Sequence, residues 1–186
     1  MDAVDVVRHA TKRAWDWLEY TVVRDVTQEQ ANRRPPGTAN TIGATYAHAI
    51  VTADEDINRV MYGRPTLVES RWNGQAGLGS KYRFGEWNAW DPRVEVEWDT
   101  LRAYARDVHA WLLGSLGRLT EADLEMPVDM TVSPGGSGLG RWKGIDIYVL
   151  HGWSHIYMHG GEIACLKGIQ GAQGYVGGFR PEELFP

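Results

Sequence analysis

Apolar residues recur at spacings of three and four in four separate stretches of the chain, the period that lays one stripe down an α-helix. In the first, Val4, Val7, Ala10, Ala14, Trp17, Leu18 and Thr21 fall in register and predict a helix over about residues 4–24. Pro35, Pro36 and Gly37 then interrupt any helix, and Asn40 or Thr41 can cap a second one over about 41–62, stopped by Gly63. A third stripe, Val94, Trp98, Leu101, Tyr104, Ala105, Val108, Leu112, Leu116 and Leu119, predicts a helix over about 94–118. The fourth, over about 142–167, carries apolar residues nearly all round, as a well-buried helix does, and is expected to end at Gly168.

Between these stretches the period is lost. Residues 64–93 are rich in Gly, Trp, Arg and Asn, and a loop of that length in a compact domain is often a lid or a crossover. "TEADLEMP" predicts a short helical turn before Pro127, and 128–141 a flexible connector with one short strand at its start. A Gly-rich tail, 168–186, follows. Four amphipathic helices with little strand signal predict an all-α four-helix bundle in a single domain, 1–186. The long connection lets helices two and three run parallel.

Composition narrows the chemistry. The net charge is -5, from 19 basic and 24 acidic residues with no basic block, so no nucleic-acid partner is expected. No apolar run approaches the roughly 18 residues of a membrane span, and the N-terminus lacks a signal-peptide pattern, which makes the cytoplasm the expected location. Cys165 is the only cysteine, so a metal site would have to use histidine and oxygen. Its angular offset from His155 on the fourth helix argues against shared ligation, and it reads as a buried small residue.

The fourth helix contains "HGWSHIYMHGGEI", with His151, His155 and His159 one turn apart on one face. Two overlapping His-x3-His pairs are far rarer by chance than one. From spacing alone three readings stand: ligands of a divalent metal, core histidines, or an acid–base group. A metal would need a further donor from another element, and His48 on the second helix, among small neighbours, can supply it. The HExxH motif is absent because Ile156 stands where its glutamate would be, which excludes a peptidase of that type.

The segments "NTIGATYAHAI" and "HGWSHIYMHGGEI" are similar to the two signatures of the DinB/YfiT-like superfamily, over most of residues 5–167. The resemblance implies a four-helix bundle with a long crossover between helices two and three. It also implies a divalent metal, often zinc or nickel, on His48, His155 and His159, with water in the open positions. His151 falls where members often carry a histidine beside the ligands. Gly160 and Glu162 depart from the usual Arg and Gln of the second signature.

Glu162 lies about 20 degrees round the helix from His155 and can accept a proton from a histidine or form an ion pair near the helix end. Glu55, two turns beyond His48, is a candidate base or hydrogen-bond acceptor, its alternative being an ion pair with Arg59. Characterised members include transferases and isomerases that use a low-molecular-weight thiol such as mycothiol, bacillithiol or glutathione, and many are homodimers. The implied function is therefore a metal-dependent transferase or hydrolase acting on a small molecule, with a non-catalytic, stress-associated metal-binding bundle as the alternative. The aromatic stretch from Trp72 to Trp90 is expected to close over the mouth of such a site.

Overall fold

The computed structural model describes residues 2–79, 94–133 and 139–175. Asp2 caps α1 (Ala3–Trp17) by accepting the Asp5 amide at 2.8 Å, and the helix runs on into a wider, π-helical turn, Leu18–Val22. After the short α2 (Gln28–Asn32), Thr41 caps α3 (Ile42–Asp54), which continues as a π-helical stretch, Glu55–Met61. Gly63 stops it with a φ of +62°, a conformation costly for any residue with a Cβ. The connection to α5 (Trp98–Leu116) holds α4 (Leu67–Ser70) in its described part.

α6 (Glu121–Glu125) is the helical turn expected before Pro127, and it leads into a hairpin of β1 (Pro127–Asp129) and β2 (Arg141–Lys143), paired Val128 to Trp142. The last helix is assembled from α7 (Gly144–Ile147), a π-helical stretch Tyr148–Ser154 and α8 (His155–Ile169). It starts two residues later than the pattern predicted, because Trp142 and Lys143 belong to β2 and Asp146 accepts the Lys143 amide at 2.9 Å. It also passes Gly168, and the left-handed residue is Gly171, with a φ of +80°.

Side-chain contacts give the helix directions. Tyr46 packs on Trp98 at 5.0 Å and Tyr104 donates to Asp54 at 2.7 Å, so α3 and α5 run parallel. Arg8 reaches the Leu116 carbonyl at 2.7 Å while Arg102 reaches Glu19 at 3.2 Å, so α1 and α5 are antiparallel. Trp15 donates to the Gly152 carbonyl and Lys167 to that of Val22, which aligns α1 with α8. His48 faces His155 and His159 while Asp56 faces His151, which opposes α3 to α8. The order is therefore up, down, down, up, with the long crossover between the two parallel helices.

A core of apolar side chains from all four helices fills the bundle, Trp15, Leu18, Tyr46, Ile50, Leu101, Tyr104, Tyr148 and Ile156 among them. Two polar knots within it fix α3. The buried Glu19 carboxylate takes the Tyr46 hydroxyl and the Arg102 guanidinium, yet burial still pushes its pKa up. Asp54 accepts from Tyr104, Asn58 and the amides of Leu67 and Val68, tying α4 and α5 to α3. Among the described residues no helix is long and apolar enough to cross a membrane.

One expectation about a single residue fails. Cys165 is exposed, because Ile163, Leu166 and Lys167 are the residues of that turn that face inward. Trp72, at the start of the stretch expected to close over the site, is partly buried and donates to Asp107 at 3.1 Å beside the Tyr104 ring. The rest of that stretch from residue 80, and the tail from 176, lie outside the described residues.

Candidate metal centre

α3 carries small buried residues on either side of His48: Ala44, Ala47, Ala49 and Val51. The backbones of α3 and the last helix can therefore approach closely, and His48 projects between His155 and His159. The ring centroids stand 5.0 Å from His48 to His155, 4.9 Å from His48 to His159 and 4.2 Å from His155 to His159. One potential ligand atom from each of the three lies within 4.8 Å of the others, so this group can hold a metal ion.

The ring nitrogens of this group approach one another closely. His155 Nε2 and His159 Nε2 are 2.9 Å apart, the separation of two ligands at roughly a right angle on an ion about 2.0–2.1 Å from each. Burial, followed by the neighbouring His159 and His151, lowers the His48 pKa from 6.5 to about 4. Burial, followed by His159, His48 and His151, takes His155 down to about 2. Both imidazoles are consequently neutral at pH 7, the state in which a histidine can ligate.

Outer groups orient the rings. His159 Nδ1 meets Glu162 Oε2 at 2.6 Å, the carboxylate–histidine pairing that leaves Nε2 free toward the centre. His48 Nδ1 lies 3.5 Å from the Thr52 hydroxyl, one turn along α3. His155 Nδ1 is buried with no hydrogen-bond partner among the described residues.

Of the other residues singled out in the sequence, His151 stands beside the triangle and not in it. Its ring is 5.4 Å from that of His155, and its Nε2 lies 3.1 Å from Asp56 Oδ2. Glu55 is buried among other charges. Burial, with Asp56 and Asp54 close by, raises its pKa to about 8, while Arg59 opposes the shift. Arg59 itself holds Glu69 in an ion pair.

Two residues of the site were not foreseen. On regular α-helical winding Glu55 would share the face of His48, but from Glu55 onward α3 is π-wound, and the wider turn brings Asp56 round to the last helix. Ser133, from beyond β1, donates to the other Asp56 oxygen at 2.7 Å. Nothing local in the sequence signals either contact, since a π turn has no composition rule and Ser133 is 77 residues from Asp56.

Gly160, at the departure from the family-like signature, has a structural reason. A Cβ built there would stand 2.2 Å from a ring carbon of Trp17, so the indole occupies the space that a longer side chain would need. A family model described as the DinB superfamily matches residues 10–163. No curated protein matches the chain.

Proposed function

This chain belongs to the DinB superfamily, and from that premise we propose that it is a metal-dependent enzyme acting on a small molecule, by transfer involving a low-molecular-weight thiol or by activation of water. The observation that carries the reading is the triangle of His48, His155 and His159, which no fourth His, Cys, Asp or Glu joins among the described residues. Three protein ligands leave open positions on a zinc or nickel ion, as catalytic sites do, whereas structural sites are closed by four. Once bound, a dication on three neutral imidazoles would supply Lewis acidity, lowering the pKa of a water or thiol and stabilising an anion.

The residues of the chain have separable tasks in this reading. His48 comes from α3 and the other two from α8, so the ligand geometry is set by the packing of two long helices held by the Glu19 and Asp54 knots. Glu162 fixes the His159 ring. His48 is only partly buried while His155 and His159 are buried, which favours approach of a small molecule from the His48 side.

The test is to strip the full chain of metal, reload it with zinc or with nickel, and follow consumption of glutathione, mycothiol or bacillithiol with a panel of electrophiles. Metal-dependent thiol consumption that disappears in His155→Ala supports the transfer branch, and metal-dependent hydrolysis without thiol supports the water branch. Turnover unaffected by metal and by the substitution would overturn both.

A further inference from the structure

Asp56 and His151 meet at a place where both helices leave regular α-winding. Asp56 lies in the π-helical stretch Glu55–Met61, and His151 in the π-helical stretch Tyr148–Ser154. Such widened turns re-aim side chains and occur often at functional sites. Here they turn two buried groups toward each other, with side chains 2% and 11% exposed.

The donors and acceptors of this contact can be assigned. Asp56 Oδ1 accepts the Ser133 hydroxyl at 2.7 Å, and Oδ2 faces His151 Nε2 at 3.1 Å. A carboxylate so placed receives the Nε2–H of the neutral ring, and a neutral imidazole with its proton on Nε2 has a bare lone pair on Nδ1. That Nδ1 is buried and has no hydrogen-bond partner among the described residues. Buried polar atoms without a partner are rare, and one of the explanations is a group that binds there.

We propose that Asp56 is a positioning residue: it fixes His151, whose ring centroid lies 5.4 Å from that of His155, with its proton on Nε2, so that Nδ1 stands as a hydrogen-bond acceptor for a proton-bearing group of the molecule held at the histidine triangle. What the acceptor serves rests on the metal-site reading, whereas the tautomer and its dependence on Asp56 rest on the geometry alone. The roles differ accordingly: the triangle holds the ion, His151 orients what comes to it, and Asp56 with Ser133 orients His151.

The test is ring-nitrogen NMR on the ¹⁵N-labelled full chain, metal-free and zinc-loaded, with His151→Gln to assign the signals and metal content measured alongside. The expected result is a wild-type His151 with an unprotonated Nδ1 and a solvent-protected Nε2–H in both forms. In Asp56→Ala that proton should exchange faster by at least roughly tenfold, as expected when a hydrogen bond to a charged group is lost. Ser133→Ala, a milder change, should speed exchange less and keep the tautomer. A wild-type His151 protonated on Nδ1, or a protected Nε2–H unchanged by Asp56→Ala, would overturn the assignment. If Asp56→Ala fails to fold, the wild-type tautomer and Ser133→Ala decide. Absence of bound zinc would count against the metal reading and leave the tautomer to be judged in the metal-free protein.

Discussion

Glu162 Oε2 stands 2.6 Å from His159 Nδ1, one turn along the same helix, on the side of the ring away from His155. The contact fixes which nitrogen faces the centre, and a carboxylate in that position also strengthens the imidazole as a donor to a cation. Glu162→Gln should keep a hydrogen bond but lose the charge, weakening metal binding by about tenfold; Glu162→Ala should cost up to about 100-fold. Competition against a chelator of known affinity reads both, and equal affinities in all three proteins would remove Glu162 from the site.

Burial of the acid at Glu55 has a consequence for stability that can be measured without metal. Its pKa is raised from 4.5 to about 8, so the folded chain binds a proton there that the unfolded chain releases. The stabilising contribution is fully present below about pH 4.5 and is lost as pH rises through 8. Relative to Glu55→Gln, metal-free wild type should lose stability over that window, by on the order of a few kcal/mol at most, in urea unfolding. A constant difference from pH 4.5 to 8 would contradict the assignment.

His48 has the opposite sign. Its folded pKa of about 4 lies below the ordinary 6.5, so its contribution is present above pH 6.5 and is lost as pH falls toward 4. In the metal-free chain, His48→Gln should flatten the decline of stability between pH 6.5 and 4, read by the same unfolding series. An unchanged slope would show that His48 is not held neutral by its surroundings.

Gly160 is a packing requirement in this chain. A methyl group there would meet two Trp17 ring carbons, at 2.2 and 2.7 Å, so Gly160→Ala should cost about 1–3 kcal/mol unless the indole moves. The indole also packs against Tyr157 at 5.0 Å and Tyr175 at 5.9 Å, so a displaced ring would alter tryptophan fluorescence as well. Unchanged stability and fluorescence together would contradict the close fit.

The four long helices and the three histidines could be read from the sequence because both are periodic. A stripe at spacings of three and four survives in any context, and His151, His155 and His159 repeat every fourth residue. What escaped depends on departures from that period. Trp15 is no such departure, being in register with Val4, Val7, Thr11 and Leu18 and fully buried with its indole N–H on the Gly152 carbonyl, whereas Trp17 is only partly buried. Regular α-winding puts Glu55 on the face of His48, whereas the π-helical stretch turns Asp56 to the last helix. The apolar pattern starts the last helix inside β2, since three residues paired with β1 carry no period of their own. The outward face of Cys165 follows from which neighbours α8 turns inward, a tertiary fact.

Metal content of the full chain, purified without a histidine tag and measured by mass spectrometry, tests the central claim most directly when wild type is compared with His48→Ala and His155→Ala. The triangle predicts about one zinc or nickel per wild-type chain and loss of it in both variants, since removing either corner leaves two protein ligands. No stoichiometric metal in the wild type, even after reconstitution, or full retention in both variants, would contradict it.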